Sequence, residues 1–223
     1  MREKKNYAVL GLGIFGSTVT KTLNQYGCEV VAIDADLQSV ERVAEYCTSA
    51  SQGDVTDIEA LRDAGIGDCD VAVIAMGSHL EDSIMAILNC RELGIKYIVA
   101  KAKNKKYMQI LKAIGADKVI RPEREMGERV AKSLLSHNIV DLIDIDDDYS
   151  IIEINAPKSW MNKSLIDLDA RRKYGINVLG VRKAGDEHLR ISPSAEYVIE
   201  EGDHLMVLAE TKVYEQFEYL NQL

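Results

Sequence analysis

The chain has 223 residues, more than one typical domain and less than two large ones, so a mid-sized domain followed by a small one is expected. Hydrophobic residues make up 47% and charged residues 28%, which excludes a disordered or fibrous chain, and the net charge of -9 argues against a nucleic-acid partner. No apolar run approaches the roughly 20 residues that span a bilayer, and Met1-Arg2-Glu3-Lys4-Lys5 leads straight into a strand pattern rather than a signal-peptide core, so a cytoplasmic chain is expected.

In chain order, residues 7–12, 30–34, 71–76, 97–101 and 118–121 read as strands. Between them, residues 15–26, 37–47, 58–64, 80–93 and 107–114 carry apolar side chains near helical spacing, and Gly27, Gly65, Gly94 and Gly115 follow as C-terminal caps. This alternation predicts an α/β domain, a Rossmann-like parallel sheet with helices on both faces, over residues 1–138. Pro122 opens a further helix whose apolar face carries Met126, Val130, Ala131, Leu134 and Leu135. Residues 139–149 combine an acidic cluster with alternating apolar positions and read as an exposed edge or connector. Residues 150–223 form a small α+β C-terminal domain, with strands expected at 149–154, 177–181 and 204–209, a helix over 165–174 and a terminal helix over 211–223. Cys28, Cys47, Cys69 and Cys90 are widely spaced, with no Cys-x-x-Cys pair, and read as free thiols.

The sharpest motif is Gly11-Leu12-Gly13-Ile14-Phe15-Gly16, placed directly after a predicted strand and before a helix, with Asp34 closing the next strand. Gly11 permits a tight turn, Gly13 lets the backbone approach a pyrophosphate, and Gly16 allows helix to pack against strand. Phosphate would then sit on the free N–H groups of the helix start, and Asp34 would accept hydrogen bonds from ribose hydroxyls. NAD, NADH, ATP, ADP and AMP all remain admissible. Asp54, in Gly53-Asp54-Val55-Thr56-Asp57, lies between the predicted strands 30–34 and 71–76 and either meets the adenosine or, like Thr56, caps the next helix. Lys101 and Lys103 stand at the sheet edge where α/β folds bind ligands, so one of them neutralises phosphate or both belong to a solvated basic loop.

A catalytic set is not evident. His79, His137, His188 and His204 are dispersed, no His-Glu-x-x-His or Gly-x-Ser-x-Gly occurs, and no module presents a proton-transfer group to a nicotinamide. A non-enzymatic role is expected, with an NAD-dependent oxidoreductase and a stand-alone nucleotide or redox sensor as the alternatives.

Taken together, Gly11-Leu12-Gly13 with Phe15-Gly16, Gly53-Asp54-x-Thr56-Asp57, Ile114-Gly115-Ala116-Asp117, Arg121-Pro122-Glu123 and Lys173-Tyr174-Gly175-Ile176-Asn177 resemble the RCK proteins of Ktr and Trk potassium-uptake systems, over nearly the whole chain. The resemblance implies a cytoplasmic regulatory subunit, a homodimer assembling into a ring, commonly octameric, docked under a membrane-embedded potassium transporter at the inner face of the membrane. Nucleotide binding would change ring shape and so control the membrane subunit. By position, Gly11, Gly13, Ile14, Phe15 and Gly16 would form the phosphate loop and Asp34 would hold ribose. Asp54, Val55 and Thr56 would approach the adenosine, Ala75, Met76 and Gly77 would line the cofactor, and Lys101 would reach phosphate. Glu123 resembles a glutamate that helps hold a cation at the interface of two N-terminal domains. The C-terminal domain resembles relatives that bind cyclic di-AMP, which would place Ile166, Arg171, Asn177, Val178 and Pro193 at that ligand. Arg171 suits phosphate because its donors form a fork. The plainer reading of the same stretch makes Leu165, Ile166 and Leu168 core, Asn177 a turn and Arg171 part of a charged helix face.

Two departures from the family pattern stand out. Ile14 occupies a position where Ktr-type relatives usually carry an arginine toward the terminal phosphate of ATP, and His79 and Glu81 replace an asparagine and a glutamine. Both changes favour NAD(H) or an AMP-type ligand.

Overall fold

The computed structural model describes residues 5–77, 79–135, 139–146, 148–210 and 212. Contacts divide the chain into two compact units, Met1–Glu123 and Arg124–Leu223.

In the first unit, β1 (Asn6–Leu10), β2 (Glu29–Asp34), β3 (Ser49–Gln52), β4 (Val71–Ile74), β5 (Tyr97–Lys101) and β6 (Lys118–Ile120) form one parallel sheet in the order β3-β2-β1-β4-β5-β6. The chain returns across the sheet between β3 and β4, so the strand order reverses at β1 and opens a crevice at the carboxyl ends of β1 and β4, where such sheets bind ligands. Residues alternate between faces as the strand period of two requires. Ala8, Leu10, Ile33, Ala72, Ile74, Ile98 and Ala100 pack into one core, and Val9, Val30, Ala32 and Val73 into another. Burial on both faces explains why the strands read as near-continuous apolar runs. The exception is β3, whose Ser-Ala-Ser-Gln sequence lies at the sheet edge and carries no apolar signal.

The helices of this unit are α1 (Ile14–Gln25), α2 (Leu37–Glu41), α3 (Ile58–Asp63), α4 (Leu80–Glu92) and α5 (Lys105–Ile114). The helix expected over 37–47 is shorter: α2 ends at Glu41 and a separate 3-10 turn spans Ala44–Tyr46. Asp36 starts α2 by accepting from the N–H groups of Gln38 and Ser39, and Asp57 starts α3 by accepting from that of Glu59. A third helix start, Asn104, caps α5 through the Tyr107 N–H. The cap considered for Asp54 or Thr56 therefore belongs to Asp57.

The contact division of the chain falls inside α6 (Pro122–Leu135), between Glu123 and Arg124. The acidic stretch over 139–149, read as an exposed edge or connector, supplies the edge strand β7 (Ile139–Asp144), which pairs antiparallel with β8 (Tyr149–Asn155). Alternating apolar positions are a strand signal, and after β7 Asp146 accepts from the Asp148 and Tyr149 N–H groups.

The second unit is a five-stranded antiparallel sheet in the order β10-β9-β11-β8-β7, with β9 (Asn177–Arg182), β10 (Arg190–Ile191) and β11 (His204–Glu210). Trp160, fully buried, anchors its core beside Tyr174, with ring centroids 5.2 Å apart. The single helix expected over 165–174 is broken into α7 (Leu165–Leu168) and α8 (Ala170–Tyr174) by Asp169, whose φ of 47° is left-handed. The expected terminal helix over 211–223 lies outside the described residues, apart from residue 212.

Candidate functional site

The loop between β1 and α1 is built by its glycines in three distinct ways. Gly11 has φ +91°, and a Cβ there would meet the Met76 side chain at 2.7 Å. At Gly16 a Cβ would lie 1.9 Å from the Gly11 carbonyl oxygen and 3.0 Å from the Ala75 Cβ, so the first turn of α1 is pressed onto the ends of β1 and β4. Gly13 is different: its φ of -61° suits any residue, and nothing lies within 4 Å of the position its Cβ would take. Packing therefore explains glycine at 11 and 16, whereas Gly13 is exposed and no contact within the chain requires glycine there.

The open space over Gly13 faces the start of α1, which has no side-chain cap and no acidic residue in its first turn. Its leading N–H groups keep their positive end of the helix dipole available to an anion. Ile14 is 91% exposed and Phe15 half-buried against the second core.

Asp34, at the end of β2, does more than the sequence suggested. Its Oδ2 accepts from the Leu12 N–H at 2.5 Å and its Oδ1 from the Asp36 N–H at 2.9 Å. One carboxylate thus ties the glycine loop to the β2 end and remains half-exposed, with spare acceptor capacity for a ribose hydroxyl.

Beyond β3, Asp54 is exposed and its Oδ1 accepts from the Thr56 N–H at 2.8 Å and hydroxyl at 2.7 Å; these two bonds hold its pKa below the usual carboxylate value. The turn is pinned from outside by Asn89 on α4, whose amide donates to the Thr56 carbonyl at 2.9 Å. Val55 is buried in the first core, so only its backbone is open to a ligand. Ala75 and Met76 pack under the loop, with the Ala75 N–H donating to the Leu10 carbonyl at 2.8 Å.

Gly77, Lys101, Lys103 and Glu123 line a cavity of about 280 Å³. The Lys101 ammonium is paired with the Glu123 carboxylate and lies 5.9 Å from the centre of the Phe15 ring. The hydrogen bond from Lys101 lowers the Glu123 pKa. Among the described residues no group of three or more His, Cys, Asp or Glu side chains converges on a point that could hold a metal. Glu123, which the resemblance places at a cation between two N-terminal domains, is paired with Lys101 within the chain.

In the second unit, Ile166, Arg171, Asn177, Val178 and Pro193, named above from sequence, all line one groove of about 360 Å³ with Leu165, Asp169, Ala170, Ile176 and Ala195. Three chain segments meet there because the start of α7 bonds to the 195–197 segment, with the Leu165 N–H donating to the Tyr197 carbonyl at 3.0 Å and the Ile166 N–H to the Ala195 carbonyl at 2.8 Å. Ile166 is 63% exposed, so it is groove wall rather than core. Arg171 is exposed at the rim.

Sequence reasoning missed a clamp at the far end of the first unit. The Arg91 guanidinium, on α4, donates to the Gly115 carbonyl at 2.6 Å, to the Ile95 carbonyl at 2.8 Å and to Asp117 at 2.6 Å, while Asp117 also accepts from the Ile98 N–H at 2.6 Å. The Gly115-Ala116-Asp117 motif is thus a structural device that joins α4, β5 and β6. An Arg in the last turn of a helix, favoured by the dipole, was its only local signal.

With this geometry in view, the chain can be set beside known proteins. The TrkA-N domain family matches residues 7–122 and the TrkA-C domain family residues 149–220. Ktr system potassium uptake protein C of Bacillus subtilis is 36% identical over 215 residues, 96% of each chain, and protein A of the same organism 37% identical over 216 residues, 97% of this chain and 96% of that one. The GsuK channel bound to NAD is similar in structure, with a TM-score of 0.67 at 18% identity; this chain is covered to 99% and spans only 40% of the channel chain. The chain, with a TrkA-N domain ahead of a TrkA-C domain and end-to-end similarity to both Bacillus proteins, belongs to the Ktr family of potassium uptake proteins.

Proposed function

We propose that this chain is a nucleotide-binding regulatory subunit that gates a membrane-embedded potassium transporter of the Ktr or Trk type, and that it is not an enzyme. The observation that carries the reading is the vacant space over Gly13, in front of the uncapped start of α1 and beside the Asp34 carboxylate. A diphosphate there would accept from the loop and helix N–H groups, while a ribose hydroxyl would donate to Asp34. NAD(H), ATP and ADP have this combination, and AMP offers the ribose with a single phosphate. Relatives named as potassium uptake proteins, similar along 96% of their length, support the transporter as partner.

The chain's own residues would do the coupling. Leu12 and Asp34 share a hydrogen bond, so a ribose competing for that carboxylate acts on the loop that holds the phosphates. Phosphate charge near Lys101 would likewise compete with Glu123 at the first turn of α6, the helix that leads into the second unit. Homodimers closing into a ring, probed as an octamer, would carry such a shift to the transporter, which holds the protein at the inner face of the membrane. The groove of the second unit, with Arg171 at its rim, is proposed to take cyclic di-AMP, and residues 1–138 and 150–223 to act as the nucleotide and second-ligand domains.

Native mass spectrometry of the protein purified without added ligand, followed by calorimetric titration with NAD, NADH, ATP, ADP, AMP and cyclic di-AMP, tests this. Ring-sized oligomers and nucleotide-dependent potassium flux of the co-expressed membrane subunit are expected. A monomer that binds none of these ligands, or hydride transfer to a substrate with turnover, would overturn the reading.

A further inference from the structure

Charge is distributed unevenly over this chain. Residues 96–121 hold seven lysines and one arginine against a single acid, Asp117, in a chain whose net charge is -9. Asp117 is already engaged by Arg91, and Lys101 by Glu123. Lys96, Lys103, Lys105, Lys106, Lys112 and Lys118 are all exposed, and none has an ion pair or side-chain hydrogen bond among the described residues. The fold gathers them: Lys96 and Lys118 stand at the amino ends of β5 and β6, Lys103 follows β5, and the others lie on α5, so they run along the β6 edge of the sheet. Tyr97, 43% exposed, and Ile110, 37% exposed, interrupt the strip with apolar surface.

We propose that this β5–α5–β6 edge is a docking surface for the anionic phospholipid headgroups of a membrane. Clustered lysines on flexible stems match a field of negative headgroups, which need no fixed bidentate geometry, and a tyrosine suits the interface between headgroup and water. Cytoplasmic loops of membrane proteins are themselves rich in Lys and Arg, so the strip is repelled by such loops and attracted by the lipid around them.

The test is co-sedimentation of the full chain with vesicles of mixed phosphatidylglycerol and phosphatidylcholine and with pure phosphatidylcholine vesicles, without nucleotide or transporter. Binding to the mixed vesicles only, weakening as salt rises, is expected. Neutralising one lysine should weaken partition about fivefold and the triple variant Lys105→Gln, Lys106→Gln, Lys112→Gln on the order of 100-fold. These three lie outside the nucleotide cavity, so an unchanged melting temperature and nucleotide affinity confirm that the variant is intact. Equal binding to both vesicle types, a variant that binds as well as the parent, or salt-sensitive self-association or duplex DNA binding without vesicle binding overturns the proposal. Such a failure leaves the nucleotide reading untouched, since that rests on the glycine loop.

Discussion

Substituting the glycines of the phosphate loop one at a time separates packing from ligand binding. Gly13→Ala places a methyl group where no protein atom lies within 4 Å and where φ is -61°, so the folded state accepts it without strain. Stability should stay level or rise by about 0.4–1 kcal/mol, because alanine restricts the unfolded chain. The same methyl occupies the space assigned to the diphosphate and would break one or two charge-assisted hydrogen bonds of about 1.5–3 kcal/mol each, so affinity for NAD or ATP should fall by roughly 10-fold to more than 100-fold. Gly16→Ala behaves oppositely: its Cβ would lie 1.9 Å from a backbone oxygen, which cannot rotate away as a side chain can. That overpacking costs about 1–3 kcal/mol or more and lowers the melting temperature by several degrees. Calorimetric titration and thermal melting of both variants give the answer. A Gly13→Ala protein that melts like the parent and binds nucleotide with the parent's affinity would refute the assignment of the space over Gly13.

Four further outcomes follow from other parts of the molecule. Asp117→Ala removes the acceptor of Arg91 and of the Ile98 N–H and should destabilise the first unit by about 1.5–3 kcal/mol in denaturant titration, without changing nucleotide stoichiometry. Burial raises the Asp117 pKa, but the Ile98 N–H and Arg91 outweigh it and the net value is lowered from 3.8; its stabilising contribution is therefore complete above that value and lost as pH falls through the lower folded value. Asp117→Asn should accordingly flatten the acid limb of a stability-against-pH curve. Arg171→Ala, at the groove of the second unit, should weaken cyclic di-AMP binding by roughly 10-fold to 100-fold in calorimetry and leave melting unchanged. Burial pushes the thiols of Cys47 and Cys69 up to about 11 and of Cys90 up to about 12, so alkylation at mildly alkaline pH, read by mass spectrometry, should mark Cys28 ahead of the other three.

Much of the first unit was legible because its signals are local. The β1 to α1 turn announces itself through three glycines, and apolar runs such as 71–74 mark strands buried on both faces. Where local signals were weak or double-edged the reading fell short. The β3 edge strand is polar, and the acidic alternation of 139–144 left an exposed edge and a connector both open until pairing with β8 made it the edge strand β7. Asp169 broke an expected helix through a backbone conformation that composition does not announce.

Periodicity, turn residues and glycine spacing establish in one dimension that strands and helices alternate and that a glycine-rich turn follows the first strand. Pairing across long separations does the rest: β1 between β2 and β4 opens the crevice, Asp34 reaches back 22 residues to the loop N–H, and Lys101 meets Glu123. The second groove likewise exists only once 165–171, 176–178 and 193–195 are brought together. Local pattern reports what each segment buries; which partners share that burial is set by the packing of the whole domain, where register, closure and hydrogen-bond satisfaction must hold at once.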